Sequence, residues 1–578
     1  MKCHKCQYEN REGAKFCKKC GSRLELLCPS CGYPYQPDSA FCDECGHNLQ
    51  APQKSFDYSE PHSYTPKFLA DKILTDRSAI EGERKLVTVL FADVAGYTSL
   101  SEKLDPEEVH QIMDGCFKIL MDEIHKYEGT INQFTGDGVM ALFGAPVAHE
   151  DHAKRACQAA LTIQSALENY HHKIMDAYGA EFRMRIGLNS GPVIVGAIGD
   201  DLRMDYTAVG DTTNLAARLQ NAAEPGTVLA SKDTCKIAGD FFEFHPLGHI
   251  AVKGKEVPQA AFKLAGRSDI KTRIDASAAR GLTKFVGRKN SMASLMEAYQ
   301  QIKSGSGQVV GVVGEAGVGK SRLVWEFRNQ LSQEDITFLE GQCIHYGSAM
   351  AYLPVLDILK SYFDIADDDK EFIIRNKLKG KILGLDENLK SIIIPLHDLF
   401  SLQVDDPVYL QVAASVRKMR IFEALTGLLV RVSQNQPLII VIEDLQWIDK
   451  ISEEFLNYFM EWIYNTRTML ILLYRPEYTH QWGNKSHYTR IGLTQLSAES
   501  SNRLVQAILG EGEIVSELRD LILQRAGGNP LFVEELTHNL LENGSIEKKD
   551  NQNVLTRKAS NIEVQRPFRA LLRPASTA

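Results

Sequence analysis

Two acidic residues, Asp93 and Asp137, follow apolar stretches in a pattern that suits metal-ion chemistry. Asp93 ends an apolar strand pattern and precedes a small-residue turn into a helix, where backbone amides can face phosphate. Asp137 lies in Gly136-Asp137-Gly138, a hairpin signal between two further apolar strands. An isolated Asp-Gly is usually only a turn, but two carboxylates together can hold divalent ions that activate a hydroxyl and stabilise charge on phosphate.

Asn214 and Arg218 form a second pair that could do chemistry. They are four residues apart in a helical pattern, so both side chains share one helix face. The arginine fork suits phosphate oxygens and the negative charge that develops in a transition state. Taken alone, this spacing more often marks a solvated helix face.

Three segments in order resemble the signatures of the class III nucleotidyl cyclases. They are F-x-D-x-x-G-Y-T at 91–98, F-x-G-D-G-x-M-A-x-F at 134–143, and the run 205–218. Their order and spacing match the family over about 180 residues, which favours the functional interpretation of all four side chains.

The resemblance implies a role for each of these residues. Asp93 and Asp137, with the Val94 carbonyl, would ligate two Mg²⁺ or Mn²⁺ ions, Asn214 would orient the ribose, and Arg218 would bind phosphate in the transition state. In the family the two pairs meet across a dimer interface. The resemblance therefore implies a head-to-tail homodimer with two shared sites and an inactive monomer.

Two positions bear on the choice of nucleotide. Family adenylyl cyclases carry a base-reading lysine four residues before the second metal-binding Asp, where this sequence has Gln133. The partner position is Thr207, where many members have Asp and the bicarbonate-responsive soluble subclass has Thr. The Gln133 amide can read adenine or guanine. Guanylyl cyclases typically have Glu and Cys here, so ATP is favoured; GTP and a non-catalytic nucleotide-binding scaffold are the alternatives.

A phosphate-binding loop is predicted further along the chain. An apolar strand pattern at 309–313 is followed by G-E-A-G-V-G-K-S at 314–321 and then by a helical pattern. Glycines let the backbone amides face phosphates, Lys320 reaches the terminal phosphates, and Ser321 can ligate Mg²⁺. The loop glycines are Gly314, Gly317 and Gly319.

A second buried strand pattern, at 437–444, ends in Glu443 and Asp444, an arrangement that holds Mg²⁺ and polarises water. The pattern places Glu443 on the Mg²⁺ side and Asp444 in the catalytic position, and the reverse assignment stays open. Together with the runs at 445–449, 474–477 and 528–536, these residues resemble the STAND group of AAA-related signalling ATPases. The resemblance implies ATP and Mg²⁺ as ligands, Arg475 as a sensor of the γ-phosphate, and a switch with slow hydrolysis.

Eight of the twelve cysteines form two copies of one unit, shifted by 25 residues. They are Cys3, Cys6, Cys17, Cys20, Cys28, Cys31, Cys42 and Cys45. Each copy supplies the four thiolates that a tetrahedral Zn²⁺ takes, and the segment resembles double zinc ribbons, which implies two structural zinc ions and a protein partner. Disulfides are the alternative, disfavoured because no export signal is visible. Four scattered cysteines are predicted to be buried thiols: Cys116, Cys157, Cys235 and Cys343.

These elements predict a multidomain chain. Small zinc ribbons at 1–49 and a polar linker at 50–83 precede an α+β ferredoxin-like class III cyclase domain at 84–266. A second linker at 267–284 leads to an α/β P-loop NTPase domain of the STAND/AAA type at 285–500, with a helical extension at 501–578. Residues 563–578 lack the expected helical pattern, which predicts a truncated product.

Composition excludes several functions. The 578 residues carry a formal net charge of -9, which argues against bulk nucleic-acid affinity, and neither a helix-turn-helix pattern nor a basic stripe supports a transcription factor. No apolar stretch of membrane-spanning length and no secretory signal are visible, so a cytoplasmic location is the default. The favoured function is Mg²⁺-dependent conversion of ATP to cyclic AMP and pyrophosphate, regulated by the fused ATPase.

Overall fold

The fold was analysed in a computed structural model of the chain. It describes residues 84–149, 151–198, 204–207, 212–250, 258–268, 270, 272–344, 351–366, 369–549 and 552–556, with short pieces at 11, 18, 26–27, 34–35, 39, 64–67, 69–71 and 73. The chain divides into two compact units, residues 1–239 with 244–266 and residues 240–243 with 267–578. Among the described residues, every helix is too short or too polar to span a bilayer.

Only a small part of the cysteine-rich segment is described. Strand β1 (Leu26–Leu27) pairs with β2 (Pro34–Tyr35) in antiparallel fashion. The eight cysteines predicted to bind zinc lie outside the described residues, so the two zinc sites stay a prediction.

The cyclase unit is built on an eight-stranded sheet in the order β4-β5-β3-β6-β8-β10-β9, with β7 paired to β6. The pairs β3–β5, β3–β6, β4–β5, β6–β7 and β8–β10 are antiparallel, whereas β6 and β8 are parallel. The strands are β3 (Arg84–Val94), β4 (Thr130–Phe134), β5 (Gly138–Phe143), β6 (Met184–Ile198), β7 (Met204–Thr207), β8 (Val228–Ser231), β9 (Phe242–Ile250) and β10 (Gln259–Arg267). The predicted α+β class is confirmed.

Long helices cover one face of this sheet. The Thr88 hydroxyl on β3 lies 2.8 Å from Nδ1 of His152, which starts a long helix, so even-numbered residues of β3 point toward that helix, whereas the helix at 212–222 packs on the odd-numbered side. The helices of the unit are α1 (Tyr97–Lys103), α2 (Pro106–Lys126), α3 (His152–Tyr178), α4 (Thr212–Ala222) and α5 (Lys232–Ala238). Helix α3 ends where Gly179 adopts a left-handed conformation.

The other face of the sheet is partly covered by a segment that precedes it in sequence. Leu69 and Ile73 are fully buried in one cluster with Val87 and Val89 of β3. The segment falls within the range 50–83, which polar composition predicts to be a linker. Its described part instead packs as part of the cyclase unit, because two apolar residues four positions apart line one side of helical backbone.

The ATPase unit contains a five-stranded, fully parallel sheet in the order β12-β13-β14-β11-β15. Alternate residues of the buried strands face two separate cores, one on each side of the sheet, as an α/β fold requires. The strands are β11 (Gln308–Val313), β12 (Thr337–Gln342), β13 (Leu438–Glu443), β14 (Thr468–Tyr474) and β15 (Tyr488–Gly492).

Helices surround this sheet and form a C-terminal extension. The range 267–284, predicted as a linker, contains a capped helix, α6 (Arg273–Arg280). The others are α7 (Lys289–Lys303), α8 (Lys320–Gln330), α9 (Leu353–Phe363), α10 (Glu371–Leu385), α11 (Ile393–Leu399), α12 (Pro407–Gln411), α13 (Ala414–Asn435), α14 (Lys450–Ile463), α15 (Ala498–Leu509), α16 (Ser516–Ala526) and α17 (Pro530–Glu542).

The extension has its own apolar core and is not purely helical. A small sheet pairs β16 (Glu513–Ile514), β17 (Ile546–Lys549) and β18 (Gln552–Leu555) beside α15, α16 and α17. The prediction of a truncated product rests on residues 563–578, and these lie outside the described residues.

The four scattered cysteines are free thiols. Cys116, Cys157 and Cys343 are buried as predicted, and Cys235 is only half-buried. Burial raises the pKa of all four thiols, so they are poor nucleophiles at neutral pH.

Two candidate active sites

The two predicted metal-binding acids meet at one end of the cyclase sheet. Asp93, near the end of β3, pairs with Gly138 of β5 on one side and Arg185 of β6 on the other. Asp137 occupies the turn between β4 and β5, as predicted, and its carbonyl accepts a 3.1 Å hydrogen bond from the Val94 amide. The hairpin turn and the end of β3 therefore hold both carboxylates together.

Gly138 leaves the space that this arrangement needs. A Cβ atom at that position would lie 2.2 Å from the carbonyl oxygen of Ala92 and 3.0 Å from Oδ1 of Asp93. A larger residue would separate β5 from β3 or displace the Asp93 carboxylate. The glycine after Asp137 is thus required by the site as well as by the turn.

The acid pair carries negative charge that its neighbours balance only in part. Burial raises the pKa of Asp93 to about 6, and the charge of Asp137 and a hydrogen bond between the two side chains add to the rise. Arg185 and a 3.4 Å hydrogen bond from Nε2 of Gln220 act in the opposite direction. Carboxylate oxygens are ligands that Mg²⁺ and Mn²⁺ prefer, and a bound cation would relieve the repulsion, so these residues fit a divalent ion.

Helix α4 turns its two predicted site residues away from the acid pair of its own chain. Ala216 and Gln220 are buried, and the backbone at both approaches β6 so closely that a Cβ on Gly187 would lie 2.2 Å from the Ala216 carbonyl. Because successive helical residues are rotated by about 100°, Arg218 points roughly 160° away from both buried residues. Asn214 is exposed and Arg218 half-buried. The outer face of α4 therefore carries the Asn-Arg pair.

Two residues beside the acids were not predicted from the sequence. Gln220 reaches Asp93 across 127 positions of sequence, and no local pattern connects them. Arg185 lies between the buried apolar residues Met184 and Ile186 of β6, and a charged residue inside an apolar strand was the one signal that could have found it.

The two predicted base-reading residues lie on separate strands. Gln133 is exposed on β4, opposite Met140 of β5. Thr207 is the last residue of β7 and pairs with Ile194 of β6, with its side chain outside the described part of the chain. Strands β5 and β3 lie between β4 and β6. The roles of Gln133 and Thr207 stay predictions.

The predicted phosphate-binding loop connects β11 to α8. Gly317 and Gly319 have positive φ angles of 74° and 98°, which a side chain would make costly. The Lys320 ammonium group donates to the loop carbonyls of Gly314 at 2.7 Å and Glu315 at 3.1 Å. The loop thus has the cradle shape and the cation that phosphate groups require.

The predicted Mg²⁺-binding residues of this site contact one another. The Ser321 hydroxyl donates to Oε2 of Glu443 at 3.1 Å. Burial raises the pKa of Glu443 to about 8, and the charge of Asp444 adds to the rise. The hydroxyl and the two half-buried acids again form an oxygen donor set that fits a divalent cation, with Glu443 on the serine side.

Arg475 lies beside the phosphate-binding loop and the two acids, because it follows β14, the strand between β11 and β13. Strand β14 lies between β11 and β13 and ends at Tyr474, so Arg475 emerges at the same sheet edge as the loop and the acids. Its guanidinium lies 5.3 Å from the ring centroid of Trp447. Burial lowers the pKa of Lys320, Arg475 lowers it further, and the charge of Asp444 opposes both effects. One chain therefore brings together all the residues predicted for the ATPase site.

Comparison with protein families identifies four regions of the chain. Residues 81–266 match the adenylate and guanylate cyclase catalytic domain, residues 284–462 an AAA ATPase domain, and residues 3–46 a double zinc ribbon. Residues 497–554 match a domain family of unknown function.

Curated relatives share either most of the chain or its cyclase part. An uncharacterized protein of Rhizobium meliloti is 26% identical over 470 residues, which is 79% of this chain and 44% of the relative. Adenylate cyclase 1 of the same organism is 36% identical over 185 residues, which is 32% of this chain and 28% of that protein. The chain thus covers less than half the length of these relatives.

Solved structures of cyclases match about a third of the chain. The adenylyl cyclase CyaB of P. aeruginosa is 32% identical, with a TM-score of 0.31, and covers 32% of this chain and 97% of its own. The guanylyl cyclase Cya2 is 35% identical, with a TM-score of 0.31, and covers 33% of this chain and 96% of its own. By the family matches, the chain is a multidomain protein that carries a double zinc ribbon, a class III cyclase catalytic domain and an AAA ATPase domain.

Proposed function

We propose that this protein is a Mg²⁺-dependent adenylyl cyclase that converts ATP to cyclic AMP and pyrophosphate. The observation that carries the proposal is the half-buried pair of carboxylates, Asp93 and Asp137, held at one sheet end within a domain that matches the cyclase family. The 36% identity to a relative named adenylate cyclase supports ATP as the substrate.

The reaction joins the ribose 3′-oxygen to the α-phosphorus, breaks the bond from that phosphorus to pyrophosphate, and releases the 3′-hydroxyl proton. Two Mg²⁺ ions held by Asp93, Asp137 and the Val94 carbonyl would supply activation of the hydroxyl and neutralisation of phosphate charge. Arg218 would donate paired hydrogen bonds to the phosphate oxygens as charge develops. Asn214 would hold the ribose in the orientation that attack requires.

The active form in this proposal is a homodimer. Within one chain the acid pair contacts the inner face of α4 through Gln220, whereas Asn214 and Arg218 occupy the outer face. A second copy could present that outer face to the acids of the first. In a dimer with a two-fold axis, the outer face of α4 in each chain would meet the acid pair of the other chain, which gives two sites.

A guanylyl cyclase is the second candidate, because Gln133 does not decide between the two bases. Its amide can pair with the guanine edge as well as with adenine, and Thr207 could accept from the adenine amino group. If the absent lysine limits adenine binding, Gln133→Lys should raise the rate with ATP. An unchanged or lower rate would show that Gln133 is not the limiting residue.

The remaining regions are proposed to regulate the cyclase. The loop with Lys320 and Ser321 would bind ATP and Mg²⁺ together with Glu443 and Asp444, and Arg475 would sense the γ-phosphate. The protein would hydrolyse ATP slowly and act as a switch. The ribbons would hold two Zn²⁺ ions and bind a protein partner, and the chain would function in the cytoplasm without binding nucleic acid.

The test is an assay of purified protein with Mg²⁺ or Mn²⁺ and either ATP or GTP, scored for cyclic product. Asp93→Ala should abolish the product, whereas Asp176→Ala, which removes an exposed acid on α3, should not. Cyclic GMP without cyclic AMP would overturn the choice of ATP. ATP hydrolysis without any cyclic product would support the third candidate, a signalling scaffold with an active ATPase.

A further inference from the structure

The extension that follows the ATPase sheet contacts the outer side of the phosphate-binding loop. Nδ2 of Asn529 donates to the carbonyl of Ala316 at 2.8 Å, and the amide of Leu531 donates to the carbonyl of Gly317 at 3.3 Å. More than 200 positions of sequence separate the partners. Two successive loop carbonyls are therefore held by the start of α17.

The next loop carbonyl is held from a different segment. Nη2 of Arg288 donates to the carbonyl of Val318 at 3.0 Å and to that of Thr494 at 2.6 Å. The two carbonyls at the beginning of the loop accept from Lys320. Every carbonyl from 314 to 318 thus has a donor, and those of 316 to 318 take theirs from outside the loop.

The hydrogen bonds to the loop carbonyls also determine the direction of the loop amides. In a planar trans peptide the C=O of one residue and the N–H of the next point in opposite directions. The amide of Val318 donates to the carbonyl of Glu315 within the loop at 3.4 Å. Donors on the carbonyls of 316 and 318 therefore turn the amides of 317 and 319 toward the space where phosphates bind, and the donor on the carbonyl of 317 holds the turn between them. Amides fixed in this way do not have to reorient when an anion arrives.

Asn529 is itself held in one orientation. Its side chain is buried, and Oδ1 accepts the 3.1 Å hydrogen bond from Leu531 that caps α17, so Nδ2 must point toward the loop. The contact is also close: a Cβ on Gly317 would lie 2.8 Å from Oδ1 of Asn529 and 3.0 Å from Cβ of Leu531. The loop and the extension fit only because position 317 is glycine.

We propose that Asn529 is a positioning residue that preorganises the phosphate-binding loop, so that ATP affinity depends on docking of the extension. The inference rests on the proposed function, namely that the loop binds ATP. It links a C-terminal region of unassigned role to the nucleotide site. Movement of α17 away from the loop would release two of its carbonyls and weaken binding.

Two substitutions of Asn529 separate the loop contact from the helix cap. Asn529→Ser keeps a neutral capping oxygen but is too short to reach Ala316, and Asn529→Asp keeps the cap and the shape but replaces the donor with an acceptor. Ser497→Ala is the matched control, because it removes the cap of α15 in the same extension. Each variant is prepared in the full chain.

Binding of a fluorescent ATP analogue is measured, and the component that Lys320→Ala removes is assigned to the loop. Both Asn529 variants should bind about tenfold more weakly, as expected for loss of one buried hydrogen bond and its preorganisation. In the nucleotide-free protein, the amides of Gly317 and Gly319 should exchange hydrogen faster. Ser497→Ala should lower thermal stability without changing either property.

The outcomes separate the inference from the function on which it rests. Failure of the wild-type protein to bind the analogue at the loop would overturn the proposed ATP site. Wild-type binding with unchanged affinity and unchanged exchange in the Asn529 variants would overturn the positioning role alone. An equal loss of affinity in Ser497→Ala would also overturn it, because general loosening of the extension would then explain the effect.

Discussion

The two candidate sites differ in how much of each is assembled by one chain. In the ATPase unit, the loop lysine and serine, both acids and Arg475 meet at one sheet edge. In the cyclase unit, only the acids meet, and the helix that carries Asn214 and Arg218 turns them away.

Sheet topology explains the difference. In a parallel sheet the carboxyl ends of all strands lie at the same edge, so β11, β13 and β14 deliver their following residues to one place. In the antiparallel part of the cyclase sheet, strand ends alternate between two edges, and α4 has to use its inner face for packing. If the proposed roles hold, the first site can work within one chain and the second needs another copy.

The largest expected effect concerns sharing between chains. Asp93→Ala and Arg218→Ala should each lower cyclic AMP formation by at least about 100-fold. After subunit exchange in an equal mixture, half the dimers are mixed and each has one intact site, so activity should return to about a quarter of the wild-type value. A mixture that stays inactive, after sedimentation has shown mixed dimers, would contradict a shared site.

The ATPase site should behave in the opposite way. Lys320→Ala and Glu443→Gln should each lower ATP hydrolysis about 100-fold, because the first removes a phosphate-binding cation and the second a Mg²⁺ ligand from a site that one chain completes. An equal mixture of the two should not recover, as measured by phosphate release. Glu423→Gln, an exposed position on α13, is the control and should keep its activity. Recovery in the mixture would indicate that residues from two chains form this site as well.

A smaller effect is expected where β3 and β5 approach each other. Gly138→Ala should destabilise the cyclase unit by about 3 kcal/mol, because the new Cβ overlaps the Ala92 carbonyl. It should also abolish cyclic product by displacing Asp93, while ATP hydrolysis continues. Gly266→Ala, which meets no atom within 4 Å, should leave both properties close to wild type. Calorimetry and the two activity assays distinguish these variants.

The smallest effect depends on pH. Burial lowers the pKa of His152 to about 4, so the folded protein keeps it neutral whereas the unfolded chain takes up a proton below about pH 6.5. Its contribution to stability is therefore constant above pH 6.5 and is lost as the pH falls from 6.5 toward 4, by up to about 3 kcal/mol.

His152→Asn should flatten this part of the stability profile, measured by denaturant unfolding at successive pH values. His245→Asn, at an exposed position on β9, is the control. A profile as steep as that of the wild type would show that His152 does not titrate in this range.

The features predicted correctly are those encoded by short stretches of sequence. The hairpin around Asp137, the helix with Asn214 and Arg218, and the strand before the phosphate-binding loop each depend on fewer than twenty neighbouring residues. Their turn glycines and apolar periodicities are local signals.

The missed features depend on contacts between distant residues. Gln220 is a polar residue in a helical pattern, where a surface position is the usual expectation, and only tertiary packing brings it to Asp93. The run 528–536 was singled out from the sequence, but the contact of Asn529 with the phosphate-binding loop was not. Helix α6 was missed because its short pattern lies in a polar range. Leu69 and Ile73 were missed for the same reason, since two apolar residues carry little periodicity.

The packing of Leu69 and Ile73 on β3 has a practical consequence for expression of the cyclase domain. The family match begins at residue 81, but the apolar core begins earlier, with Tyr64 also buried. A recombinant fragment that starts at residue 81 would lose the packing of Leu69 and Ile73 on this cluster, expose part of Val87 and Val89, and lose roughly 4 kcal/mol of burial energy. Such a fragment should aggregate, whereas one that starts before Tyr64 should remain in solution.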